Sequence, residues 1–132
     1  MVHHGKDRFD GFGYAECLRV TVPPSRLPFH TLRWGRHLSE HHSLVWIAWT
    51  GDTPRTWVWL DGVAAPQAIV TDTGLVGLPH DASLVVRDSR TILDHRVPCT
   101  ALREHKQLGR SALVTAGRPL DHGWTVHEVV TR

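Results

Sequence analysis

Apolar side chains recur at every second position in several short windows of this chain. Over residues 14–22 the even positions carry Tyr14, Glu16, Leu18, Val20 and Val22, and the odd ones Ala15, Cys17, Arg19 and Thr21. Alternate residues of a strand share a face, so this window predicts a first strand. Residues 31–38 predict a second, with Leu32, Trp34, Arg36 and Leu38 on one face. Residues 44–50 predict a third. Leu44, Trp46 and Ala48 alternate there with Val45, Ile47 and Trp49, so that strand is central or has a covered outer face. Further strands are expected at 56–60, 67–73, 83–87, 91–96 and 124–130. The stretch 101–107 has helix-compatible composition but little bulk beyond Leu102. It is read as extended, running on through 111–114 with Gly109 as a kink.

Punctuation between the windows supports this division. Pro23, Pro24 and Pro28 make a stiff loop without ladder donors. Asp61-Gly62 is a hairpin signal. Gly74, Gly77 and Pro79 mark a loop, Asp88-Ser89-Arg90 a short connection, and Gly117 with residues 119–123 the last turn. No long stretch carries a 3.6-residue period. Eight or nine short strands at regular spacing predict an all-β antiparallel fold, a barrel closing on itself and able to hold one small ligand. Residues 1–10 are polar and are expected to be a flexible segment, with residues 11–132 forming one barrel domain.

Three charges break the pattern. Glu16 and Arg36 fall on the apolar sides of their windows, and Glu128 does the same beside Trp124, Val126 and Val130. Burying an unpaired charge costs several kcal/mol or forces it to neutralise. The inward set predicted from alternation is Tyr14, Glu16, Trp34, Arg36, Trp124 and Glu128. Two explanations remain open. Arg36 is a salt-bridge hub for one or both glutamates, which suits its planar fork. Alternatively, Glu16 faces an aromatic cavity, where desolvation would raise its pKa and make it a general acid. Both hold if Arg36 pairs with Glu128. If Arg36 pairs with Glu16 the acid reading weakens, because a nearby cation lowers a carboxyl pKa.

Composition narrows the function. A net charge of +2, with 15 basic residues and no run of them, gives no nucleic-acid stripe. Cys17 and Cys99 are too far apart for a CxxC knuckle and are expected to be reduced, buried and unpaired. The N-terminus lacks an apolar signal core, and no run approaches the ~18 residues of a membrane helix. A cytoplasmic protein without a membrane span is expected. Six tryptophans are many for this length and suggest a lined pocket or an aromatic core. His127-Glu128 begins like HExxH, but Thr131 stands where the second histidine would be. His41-His42 falls in a turn and is expected to be solvated. No metal site, P-loop, dinucleotide fingerprint or nucleophile elbow is present.

The runs GYAE (13–16), LRWGRH (32–37) and GWTVHEVV (123–130), with the proline-rich loop between the first two, resemble the lipocalin-like family of carotenoid 1,2-hydratases (hydroxyneurosporene synthases) and AttH proteins. Some fungal cyclases of the Diels–Alderase type belong to the same family. The resemblance spans about residues 9–130, and WGR and the terminal HE are its most specific pieces. It implies a lipocalin-like barrel, a small apolar ligand such as an isoprenoid, and no cofactor. In those hydratases a Tyr-x-Asp motif supplies an acid that protonates a terminal double bond, and water adds to the cation. Tyr14 and Glu16 stand where that motif would fall, with Arg36 and Glu128 behind them. Trp34, Trp46, Trp57 and Trp124 are the candidate ligand lining, since aromatic faces can stabilise a cation. Two departures matter. The acid is Glu, one methylene longer, and the family carries two barrel halves in tandem whereas this chain resembles the C-terminal one. The resemblance therefore leaves two expectations. One is a cofactor-free hydratase, a carbon-oxygen lyase. The other is a non-catalytic carrier or interaction module, or a truncated half of a two-barrel hydratase-like protein, working as a homodimer or beside a partner barrel half.

Overall fold

The computed structural model describes the chain apart from Met1, Gly5, Lys6, Asp10, Phe12, Glu16, Leu18, Val20, Pro24 and Ser25, and for residues 2–4 and 7–9 it describes the backbone alone. Two short strands, β1 (Val2–His4) and β2 (Asp7–Phe9), pair with each other in the segment expected to lack structure. All other strands belong to one antiparallel sheet. They are β3 (Thr31–Ser39), β4 (Ser43–Thr50), β5 (Arg55–Leu60), β6 (Val63–Ala64), β7 (Ile69–Thr71), β8 (Gly74–Leu78), β9 (Ala82–Arg96), β10 (Arg103–Thr115) and β11 (Arg118–Thr131). Their spatial order is β6-β5-β4-β3-β11-β10-β9-β8-β7. Two meanders thus meet at one seam, where β11 pairs with β3 from Thr131↔Thr31 to Gly123↔Ser39. The result is the expected all-β architecture, a nine-stranded sheet curled into a half-barrel.

The core shows which way the sheet rolls. Leu44, Trp46 and Val58 from β4 and β5 cluster with Leu75, Leu78, Ala82, Leu84 and Leu113 from β8, β9 and β10. Residues from opposite arms of the sheet can meet only if that face is concave. Ala65 and Ala68, between β6 and β7, fill the gap.

This core overturns the predicted inward facing of Trp34, Arg36, Trp124 and Glu128. On β3 the buried side carries Gly35, His37 and Ser39, and Leu32, Trp34, Arg36 and Leu38 lie on the other, half-buried side. Gly35 sits directly across from Trp46, and His37 across from Leu44. The Trp46 ring lies flat on Gly35, where an added Cβ would overlap it. A neighbour's bulk, rather than its own side chain, buries that face of β3. The register carries Trp34 to Glu128, Arg36 to Val126 and Leu38 to Trp124, so Trp124 and Glu128 are also on the convex side.

Other expectations also change. None of the described residues between 13 and 22 is in a strand. The expected strands at 83–87 and 91–96 are one strand, β9, because Asp88 at φ 51 makes a bulge where a turn was expected. The expected loop from Gly74 contains β8, and the last turn is at Ala116-Gly117, earlier than expected. Asp61 and Gly62 have φ of 51 and 79, the hairpin turn that Asp-Gly predicts. The kink at Gly109 coincides with a register shift between Leu108 and Arg110. Cys17 and Cys99 are free as expected, but exposed instead of buried.

Candidate functional site

The convex side of β3–β5 is as apolar as the core. Cross-strand register brings Trp34 to Ile47, Ile47 to Trp57, Val45 to Trp59 and Leu32 to Trp49. These are non-core positions on all three strands, and they form one patch. Described residues of the preceding proline-rich stretch lie over it, among them Tyr14, Val22, Leu27 and the buried Phe29. Between the overlay and the sheet are two adjoining hollows of about 390 and 420 Å³, which share Trp34, Ile47 and Trp59. Each is within the range of small-molecule sites, roughly 300–1,000 Å³. Trp49 and Trp57 stand edge to face, with centroids 4.9 Å apart, and Trp49 Nε1 donates to the Thr53 carbonyl at 3.0 Å. Such pairing holds the rings as a rigid wall.

Polar groups mark one end. The Arg36 guanidinium lies over the Tyr14 ring, 4.7 Å from its centroid, which fixes the overlay to the sheet. Cys17 and Ser43 line the same hollow as Tyr14. Trp34 Nε1 is buried without a hydrogen-bond partner.

The expected site residues are therefore divided. Tyr14, Trp34 and Trp57 line the cleft, and Arg36 reaches Tyr14 at its edge. Glu16 lies outside the described residues. Trp46 is on the opposite face, 2% exposed in the core, and is not a lining residue. Trp124 is 49% exposed, well away from the cleft, under the Arg110 guanidinium at 5.6 Å. Glu128 does not point into a lumen. It binds Lys106 Nζ at 2.9 Å, and Lys106 also reaches Glu104 at 3.2 Å. The bond to Glu128 is the main reason the Lys106 pKa is raised. Sequence reasoning missed Trp49, Trp59, Ile47 and Leu32 as lining. The signal was the alternation Val45, Ile47, Trp49 opposite the i, i+2 pair Trp57 and Trp59.

The concave side holds a different polar group. Thr125 Oγ1 donates to Ser111 Oγ at 2.8 Å, and Ser111 Oγ is 2.7 Å from His37 Nδ1. Ser111 Oγ accepts from Thr125 and keeps its own proton to share with Nδ1, and the other ring nitrogen, Nε2, has no partner among the described residues. Burial, opposed by Asp121, lowers the His37 pKa to about 4. His127 is lowered too, by burial and then by Arg33, which pairs with Asp72. His37 is fully buried and Ser111 only 5% exposed. A nucleophile must be reached by its substrate, so this chain of bonds is structural. His42, expected to be solvated, is half-buried and bonded through Nδ1 to Asp61 at 2.8 Å.

Among the described residues no group of three or more His, Cys, Asp or Glu could hold a metal ion, and no helix is long and apolar enough to cross a membrane. No protein-family model, curated protein or solved structure matches the chain, so its site is known by its own geometry alone.

Proposed function

We propose that the chain binds a small apolar ligand, of isoprenoid or carotenoid-like character, in the tryptophan-lined cleft on the convex side of β3–β5. The observation that carries this is the pair of adjoining hollows walled by Trp34, Ile47, Trp57 and Trp59, with Tyr14, Val22, Leu27 and Phe29 on their other side. A flexible chain of linked alkenes matches two connected hollows better than one compact ring system. Titration of farnesol, followed by tryptophan fluorescence and calorimetry, tests it. Trp34→Ala and Trp57→Ala should each weaken binding about ten-fold, the loss of roughly 1.4 kcal/mol of aromatic contact. Trp124→Ala should leave it unchanged. Equal affinity in all three variants would refute the cleft.

Tyr14 at the cleft edge favours a catalytic version of the same reading. There the Glu16 carboxyl would give its proton to a terminal alkene carbon. Water would add to the resulting tertiary cation and return a proton to the carboxylate. No cofactor enters. Glu16→Gln should abolish hydration of an acyclic polyene while preserving its binding. Binding without turnover in the unmodified chain leaves a carrier. A homodimer or a partner barrel half would cover the cleft's apolar rim, and sedimentation with and without farnesol reports it.

A further inference from the structure

A third hollow, of about 330 Å³, lies at the other end of the convex side, over β9, β10 and β11. Its lining includes Val85, Ala112, Val114 and Pro119, which make an apolar floor, together with Arg87, Arg110 and His122 at its rim. Arg87 and Arg110 are directly opposed across β9 and β10. Like charges in that arrangement are destabilising. Among the described residues neither arginine has a carboxylate within ion-pair distance, although Asp88 is also at the rim.

Local structure aims the two side chains. The β9 bulge at Asp88 follows Arg87 immediately, and the register slips opposite Gly109. An added Cβ on Gly109 would come 2.7 Å from Ser89 Oγ and 3.0 Å from the Arg87 carbonyl, so the two strands approach closely at the bulge. Bulges re-aim side chains and are common beside functional sites. The Trp124 ring beneath Arg110 holds the second guanidinium in place. His122, opposite Ala112, adds a third nitrogen-bearing side chain.

We infer that this hollow binds a phosphate monoester of a small organic molecule, with the phosphoryl group bridging Arg87 and Arg110 and the organic body resting on Val85, Ala112, Val114 and Pro119. Two guanidinium forks on adjacent strands fit a tetrahedral dianion. The apolar floor distinguishes a monoester from free phosphate. The site is separate from the tryptophan cleft and does not depend on its reading.

Phenyl phosphate, inorganic phosphate and phenol are the probes, followed by calorimetry and by the backbone and indole N–H signals in two-dimensional NMR. Phenyl phosphate should bind at least about ten-fold tighter than inorganic phosphate and shift the Arg87, Arg110 and Trp124 signals. Phenol should not bind there. Arg87→Gln and Arg110→Gln should each cost about ten-fold in affinity. Without ligand Arg87→Gln should melt no lower than the parent, because it relieves the like-charge contact, whereas Arg110→Gln also gives up its contact with the Trp124 ring. Ala112→Glu, which supplies a carboxylate from the floor, should also abolish binding while keeping the fold. Three results would each overturn the inference. They are unmoved signals, equal affinity for inorganic phosphate, and an Arg87→Gln variant that melts lower or fails to fold, which would make the pair structural.

Discussion

Acidification should weaken this fold well above the range where carboxylates titrate, and His37 should be the cause. In the folded state its pKa is lowered from 6.5 to about 4 by burial. A lowered histidine favours folding fully only above its unfolded pKa. That contribution is lost as pH falls from 6.5 toward 4, because the unfolded chain takes up a proton that the folded chain refuses. Each tenfold difference in proton affinity is worth about 1.4 kcal/mol. The whole displacement therefore amounts to about 3 kcal/mol, of which about 2 kcal/mol is lost by pH 5. His127 adds to the slope in the same direction, so the comparison must be made between variants. His37→Gln keeps a side-chain oxygen to accept from Ser111 and cannot titrate. Urea unfolding at pH 7, 6 and 5, followed by tryptophan fluorescence, gives both curves. The difference in unfolding free energy between parent and His37→Gln should shrink by about 2 kcal/mol across that interval. Parallel curves would show that the buried imidazole does not resist protonation and would refute the reasoning.

Three further outcomes follow from the packing. Gly35→Ala should cost about 1–3 kcal/mol by forcing the Trp46 ring off the strand, and an unchanged urea midpoint would contradict the close approach. Glu128→Gln should cost at most about 1 kcal/mol, since the Lys106 pair is partly solvated and Lys106 keeps Glu104; a larger loss by thermal unfolding would argue for a buried role. Farnesol should slow maleimide labelling of Cys17, which lines the cleft, without affecting exposed Cys99, as read by peptide mass spectrometry; equal slowing of both would point to non-specific effects.

Strand content was legible because period-2 alternation and turn residues act locally. Asp61-Gly62 shows this well, since the dipeptide alone selects the left-handed backbone that the hairpin needs. Facing was not legible, because both sides of β3 and β4 are apolar and only cross-strand partners distinguish them. Gly35 is buried by Trp46, a residue eleven positions away. The tripeptide Asp88-Ser89-Arg90 has turn composition but sits in a strand held by β10, so tertiary pairing overrode local preference. β8 was hidden by its glycines, which suit a loop; here Gly74 allows close approach to β9 and Gly77 to the Gln67 carbonyl. For the cleft, the aromatic wealth was readable, and so were Trp34 and Trp57. Assigning the lumen to Glu128 and Trp124 failed with the facing. Arg87 and Arg110 are distant in sequence, and only the register brings them together.

The β3–β11 seam also bears on how the chain can acquire its shape. The two meanders share no ladder until β11 is present, and β11 is the final strand of the sheet. On the ribosome, β3 would wait through the synthesis of about ninety intervening residues with an unpaired edge, a long-range closure that is intrinsically slow. Loss of even a few residues from β11 should therefore do more than shorten one strand. It should leave two unjoined sheets, each with an open edge that invites aggregation.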